Sequence, residues 1–399
     1  MRRGSHRPAA HPYFNRVTNI LIDVTRLTTR HYDGLIPTGV DRVGLAYINR
    51  YGNSARAVFS ERGFSTVLSE SNSQRIFNLL LSPGRKRNEV RLIVVRALLN
   101  RLSTNRFERA VLLHTSHNGM EFLRYYRAMR ALNAHPVFMV HDLIPLTHAE
   151  YCRSGVAETH RLRIHTALAH ASGLIANSQA TLDELATEAG RANLRMPPSV
   201  VAHLAPGVPN LAPSSPPLDV PYFVMLGTIE PRKNHWFVLH LWRRLAEQLG
   251  AAAPRLVIVG RRGWECENVV DMLERCAELR GLVFEESNCS DERLHALLQH
   301  ARALLFPSFV EGYGLPLVEA LMLRVPVIAS DLAIFQEIAD DIPDYLDPLD
   351  GSSWISRILA YVPANSPERS AQIARIARFR EPTWSDHFDR VDAFLESLA

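Results

Sequence analysis

The chain predicts an α/β protein of two Rossmann-like, doubly wound domains facing a central cleft. Three observations carry that reading. At 399 residues the chain is too long for one ordinary core. Short, continuously apolar runs alternate with longer amphipathic ones, as in parallel sheets covered by helices on both faces. Finally, six prolines crowd into "PGVPNLAPSSPPLDVP", residues 206–221, where neither helix nor central strand can form.

The first series of strands reads from Thr18–Val24, Ala110–Ser116, His135–Asp142, Gly173–Ser178 and Ser199–Gly207. Helical patterns such as "EFLRYYRAMRAL" and "QATLDELATEAG" lie between them. A second series opens at "YFVMLGT" and continues through "RLVIVG", "GLVFEES", "ALLFPS" and "VPVIAS". This divides the chain into a first domain, 1–205, a proline-rich linker, 206–221, and a second domain, 222–384. Ligands of such sheets bind outside the carboxyl ends of the strands, so the cleft is the expected site.

Composition, 47% hydrophobic and 22% charged, is that of a globular protein, and the net charge of +4 suits an anionic ligand. The basic excess concentrates in 85–109, where Arg85, Lys86, Arg87, Arg91, Arg96, Arg101, Arg106 and Arg109 face only Glu89 and Glu108. A solvated helix with one core face accounts for it. A basic amphipathic surface in peripheral contact with an anionic membrane is the sharper alternative. Apart from Phe107 the stretch lacks interleaved aromatics, so nucleic acid is not an expected partner. The four cysteines have no CxxC spacing and read as free thiols, and "MRRGSHRPAAHPYF" leads into no apolar signal region. The expectation is a cytoplasmic protein, peripheral at the inner face of the membrane if it meets one.

Two stretches carry the chemistry. In "PSFVEGYGLPLVEALMLRVPVIAS", Glu311 and Glu319 flank a glycine-broken loop that leads into a helix, with Pro316 in its first turn. Free N–H groups at that helix start favour phosphate, and Glu319 can accept two bonds from the vicinal hydroxyls of a ribose. In "MLGTIEPRKNHWFVLHLWRRL", a strand ends at Gly227. The loop beyond it carries Arg232 and Lys233, two adjacent cations suited to a diphosphate. Two lone glutamates are more often a cap and a surface charge, and a lone Arg-Lys pair is usually a solvated helix start. Strand–loop–helix placement is what raises both.

Together, "GTIEPRKN" and "PSFVEGYGLPLVEA" resemble the retaining nucleotide-sugar glycosyltransferases of family 4, with the GT-B fold, in particular the bacterial mannosyl- and rhamnosyltransferases of surface polysaccharide assembly. The resemblance implies that Arg232 and Lys233 bind the donor diphosphate and Glu319 its ribose. Glu311 would lie near the transferred sugar, with the amides of Gly312, Tyr313, Gly314 and Leu315 on sugar or phosphate. Thr228 stands where many members carry arginine. In the first half, "IPTGVDRVGLAYI" is similar to the family's glycine loop. Gly39 would approach the donor phosphate, and Asp41 replaces a glycine. "VHDLIPLTHAEY" gives His141 a place beside the transferred sugar. The last segment, 385–399, would cross back onto the first domain.

The resemblance implies a retaining transfer, most naturally of mannose from GDP-mannose, onto a lipid-linked or polysaccharide acceptor, with no metal and no cofactor besides the nucleotide-sugar donor. A dTDP- or UDP-sugar is the alternative donor. A Rossmann dehydrogenase is disfavoured because no G-x-G-x-x-G follows a strand, and a non-turning-over sugar-nucleotide binder is disfavoured by the intact charged set.

Overall fold

The computed structural model describes residues 19–35, 37–82, 84, 87–99, 107–207 and 215–398. Seven strands build the first sheet: β1 (Ile20–Asp23), β2 (Arg56–Glu61), β3 (Phe64–Val67), β4 (Ala110–His114), β5 (Ala134–Val140), β6 (Gly173–Ala176) and β7 (Ser199–Val201), in the order β3-β2-β1-β4-β5-β6-β7. Six build the second: β8 (Tyr222–Leu226), β9 (Arg255–Val259), β10 (Val283–Glu286), β11 (Leu304–Phe306), β12 (Val327–Ser330) and β13 (Asp344–Leu346), in the order β10-β9-β8-β11-β12-β13. The two sheets therefore repeat one doubly wound order. Each reverses direction beside its first strand, between β1 and β4 and between β8 and β11. Those reversals open the crevices in which such sheets take ligands.

Inner strands such as β1, β4 and β12 are buried along their whole length, as continuous apolar runs require. One departure from an all-parallel sheet is the hairpin of β2 and β3, paired antiparallel at the edge. It turns on Arg62 and Gly63, both at positive φ (46° and 80°). β2 mixes buried, half-buried and exposed positions and β3 has no fully buried one, so they present no continuous apolar run along the sequence. β13 escapes for a different reason: "DYL" begins with Asp344 and is only half-buried at all three positions.

In the basic stretch, the helix Arg87–Leu99 buries Val90 and Ile93 and exposes Arg87, Arg91 and Leu92. Arg87 lies over the Tyr32 ring and donates to the Asp33 carbonyl. The side chains of Arg85, Lys86, Arg96, Arg101 and Arg106 lie outside the described residues, as do positions 208–214 of the linker. No helix among the described residues is long and apolar enough to cross a membrane. All four cysteines are unpaired.

The last helix, Trp384–Ser397, starts on the Thr383 cap and lies on the first domain. Gly173 is a glycine of necessity there, because a Cβ would stand 2.8 Å from the Phe394 ring. Arg50 and Tyr51 both bind Asp392 (2.6 Å each). His387 is buried; its Nδ1–H donates to the His203 carbonyl (3.0 Å), so Nε2 accepts from the Tyr47 hydroxyl (3.0 Å). Burial pushes the His387 pKa down to about 4, against the opposing pull of the His203 carbonyl. The unfolded chain, at about 6.5, then binds more protons between those values. This contribution to stability is complete above pH 6.5 and is lost as pH falls toward 4, by roughly 3 kcal/mol in all. His387→Asn, with no proton to gain, is expected to flatten the pH dependence of unfolding across that window, as denaturant melts at pH 4.5 and 7 would show.

Candidate functional site

Both sheets aim their strand ends at the cleft, and the second sheet's crevice holds the charged residues. Past β8, Gly227 adopts φ 139°, and the chain enters a 3-10 turn, Pro231–Lys233, closed by Asn234 in the left-handed conformation. Past β11, the loop 307–314 runs to the helix Leu315–Met322, whose N-cap is Gly314 at φ 106°. A side chain at Gly314 would be strained and would stand 2.8 Å from the Phe335 ring.

The two loops interlock through charge. Arg232 Nε meets Glu230 (2.6 Å), and its Nη1 meets Glu311 Oε2 (2.8 Å) and the Val310 carbonyl (3.2 Å). Lys233 Nζ meets Glu311 Oε1 at 2.5 Å, and the Ser308 hydroxyl donates to the same oxygen at 2.6 Å. The Lys233 ammonium also lies 4.9 Å from the Phe306 ring centre, and its stem runs over Gly227. Burial alone would raise the Glu311 pKa, but Arg232 and Lys233 outweigh it and hold the carboxyl down at about 2. Burial lowers the Lys233 pKa, with Glu311 opposing.

A loop position suggests an exposed Lys233. The structure corrects this: the residue is 7% exposed, because its stem runs over Gly227 and its ammonium lies against the Phe306 ring and Glu311. Lys233→Ala is therefore expected to lower stability by about 3 kcal/mol, the scale of breaking a buried pair, as well as lowering turnover. A melt and a turnover assay on one preparation would separate the two losses.

Glu319 is 6% exposed, and its Oε1 accepts from the Gly207 N–H of the linker (3.2 Å). Thr228 is exposed at the crevice mouth. Tyr313 turns its ring into the core and donates its hydroxyl to the Leu204 carbonyl (2.8 Å), so only its backbone can serve a ligand.

The first domain brings its own candidates to the same place. Gly312 packs on His141: a Cβ there would lie 2.7 Å from the His141 carbonyl oxygen and 2.8 Å from Asp142 Cβ. The His141 ring is buried and its Nε2–H donates to the Thr115 carbonyl (2.8 Å), which leaves Nδ1 as its acceptor. Burial keeps it neutral by lowering its pKa, against the Thr115 bond. Gly39 does not sit in a loop but opens the helix Gly39–Tyr51, and its Cα faces the Leu315 side chain across the cleft. Asp41 folds back on its own helix start, accepting from Thr38 N and Oγ1 (2.7 Å each) and pairing with Arg26 (2.8 Å) and Arg30 (2.6 Å). Its charge is thereby neutralised within the first domain.

Sequence reasoning left three participants without a role. Glu230 and Ser308 hold Arg232 and Glu311, and only the folded distances reveal it. Glu337, on the helix Ala333–Ala339 of the second domain, accepts from Gln179 N (2.6 Å), Ala180 N (2.9 Å) and His203 Nε2 (2.9 Å) of the first. A second bridge joins the domains where Tyr151 stacks on Phe309 (centroids 5.3 Å, planes 3° apart). A cavity of about 230 Å³ between the domains is lined by Gly39, Arg42, Gly207 and Leu315 among others. A larger hollow of about 460 Å³ is lined by Leu346, Ser352, Ser353 and Arg357 and includes none of the candidate residues. No cluster of metal-ligating side chains occurs among the described residues.

Residues 210–342 match the family described as "Glycosyl transferases group 1". The chain is 30% identical over 282 residues to the serotype-specific mannosyltransferase WbdA of Escherichia coli, covering 65% of this chain and 34% of WbdA. It is 31% identical over 165 residues to the O-antigen chain mannosyltransferase B of Escherichia coli, covering 41% of this chain and 43% of that protein. The chain thus spans about a third of the length of WbdA and under half of the second relative. Among solved structures, Anabaena HepE in complex with UDP and glucose superposes with a TM-score of 0.68 at 15% identity, covering 95% of this chain and all of HepE. Sucrose-phosphate synthase from Thermosynechococcus elongatus superposes with a TM-score of 0.62 at 15% identity, covering 96% and 99%. At that identity the likeness is one of fold, and the fold is GT-B.

Proposed function

From a chain that carries a glycosyltransferase group 1 domain at 210–342 within a GT-B frame, we propose a retaining glycosyltransferase. It would move mannose from GDP-mannose onto a lipid-linked or polysaccharide acceptor in surface glycan assembly. The observation that carries the reading is the meeting of Arg232, Lys233 and Glu311 at the β8/β11 crevice, with His141 of the first domain packed against Gly312, the residue next to Glu311. The mannosyltransferase relatives support the sugar.

In this reading the diphosphate lies against Arg232 and Lys233, and the ribose reaches Glu319. The backbone of Gly312 to Leu315 takes sugar or phosphate. The neutral His141 offers Nδ1 as acceptor to a sugar hydroxyl. As the bond from the anomeric carbon to the diphosphate breaks, charge builds on the leaving oxygen, and the two cations stabilise it. The acceptor hydroxyl attacks from the same face, its oxygen bonds to the anomeric carbon, and its proton passes to the departing phosphate. Closure of the two domains keeps water from taking the acceptor's place. Work at the inner face of the membrane, with the basic stretch as contact, belongs to the same proposal.

A second donor class, a UDP-sugar, is favoured by one observation, the UDP held by the fold neighbour HepE. Thermal stabilisation by GDP, UDP, dTDP and NAD at equal concentration decides between them, because a ligand that binds only the native state raises stability by RT ln(1 + [L]/Kd). The largest shift is expected with GDP. A larger one with UDP or dTDP replaces the donor. No shift with any diphosphate, or one with NAD alone, overturns the proposal.

A further inference from the structure

The charged cluster behind the proposed diphosphate site is already neutral. Arg232 and Lys233 contribute two positive charges, and Glu230 and Glu311 two negative ones, within contacts of 2.5–2.8 Å. Glu230, Glu311 and Lys233 are all nearly buried, so water screens the cluster poorly. A nucleotide-sugar diphosphate would bring two more negative charges against it, and Asp142 adds to the negative field at Arg232 from the first domain. The cations can stabilise the newcomer only so far as a carboxylate releases its claim on them.

We infer that donor binding draws a proton from solvent onto Glu230, and that the resulting carboxylic acid frees the charge of Arg232 for the diphosphate while still holding its guanidinium in place. This rests on the proposed placing of the diphosphate against Arg232 and Lys233. Geometry singles out Glu230. Glu311 accepts from three side chains, Lys233, Ser308 and Arg232, and would forfeit several charge-assisted bonds on protonation. The Glu230 ion pair is with Arg232 Nε, and the carbonyl oxygen of the acid form can go on accepting that bond. The groups acting on Glu230 are Arg232 and Lys233 from its own turn and Glu311 from the facing loop; Cys152, from the first domain, senses its charge in turn. The native energetics lean the same way. Burial raises the Glu230 pKa even with both cations opposing, whereas Glu311 is held at about 2. No covalent bond of the donor changes: one proton leaves the buffer and one carboxylate becomes an acid. Glu230 is a positioning residue here, acting through Arg232.

Calorimetric titration of the full chain with GDP-mannose, and separately with UDP-glucose, tests this at about pH 7.5 in HEPES and in Tris, whose ionisation heats differ. The diester diphosphate of a nucleotide-sugar does not titrate near neutrality, so any uptake belongs to the protein. The heats are expected to differ between buffers by an amount equal to uptake of up to one proton per donor bound. Affinity should fall as pH rises from about 6.5 to 8.5, by up to tenfold per unit. Glu230→Gln, a neutral isostere that can still accept from Arg232 Nε, should bind with no uptake and a flat pH profile, and more tightly than the parent at the alkaline end of that range. A residue that merely supports the fold would show none of these signs. Donor binding without buffer dependence overturns the inference and leaves the functional reading standing. Uptake that persists in Glu230→Gln overturns the assignment to Glu230. Binding of neither nucleotide-sugar removes the reading and the inference together.

Discussion

Glu311→Gln is expected to lower turnover by about 100-fold or more while leaving nucleotide diphosphate affinity unchanged or higher. The two halves of that expectation have separate causes. Removing the Glu311 charge takes away what both Oε atoms supply to Lys233 and Arg232, so the cations are no longer held at a fixed separation. A transition state depends on that placement more than a bound ground state does. The same change shifts the local balance by one positive charge, which favours an anion. Stability should also drop, by about 3 kcal/mol or more, because a nearly buried lysine loses its carboxylate partner. Turnover, diphosphate affinity and unfolding free energy need to be measured on one preparation. Unaltered turnover would reduce Glu311 to an ion-pair holder. Affinity that falls in step with stability would indicate a disordered loop in place of an altered site.

Glu319→Ala is expected to weaken nucleotide binding by roughly 10- to 100-fold, the scale of one charge-assisted hydrogen bond to a ribose hydroxyl. Glu319 sits in the helix Leu315–Met322, with Oε1 on the Gly207 N–H. The nucleotide must therefore share or displace a linker contact, and the variant also frees that peptide. A 2′-deoxyribose diphosphate separates the two effects. It should bind the parent more weakly than its ribose counterpart, and the variant should no longer distinguish the pair. Equal binding of both nucleotides by the parent would remove Glu319 from the ribose site.

Much of the fold is legible in the linear chain, for plain physical reasons. "VIAS" and "LLF" read as strands because a parallel strand covered on both faces forms a nearly continuous apolar run, and both are fully buried. The β2–β3 hairpin does not read as strand, because polar Arg56, Ser60 and Glu61 interrupt β2 and the edge strand β3 has no fully buried position, so neither shows that signature. Asp41 stands out in the sequence as a departure from the glycine loop. Its role, a capping box paired with two arginines, depends on Arg26 and Arg30 from the preceding helix, which no spacing rule links to it.

The sequence by itself determined the alternation of strands and helices, the proline-rich division of the chain, and the two loops at which charge and glycine collect. These are local properties, governed by backbone stereochemistry and side-chain periodicity. The tertiary structure alone decided which charges neutralise one another. Glu230, Arg232 and Lys233 lie some 80 residues from Glu311 along the chain, and they meet it because β8 and β11 are neighbours across the point where strand order reverses. It also decided that Lys233 is buried, that Tyr313 faces the core, and that Glu337 ties the domains together. Each of these outcomes follows from packing and from the strength of charge at short range in poorly hydrated surroundings, and none is encoded in spacing along the chain.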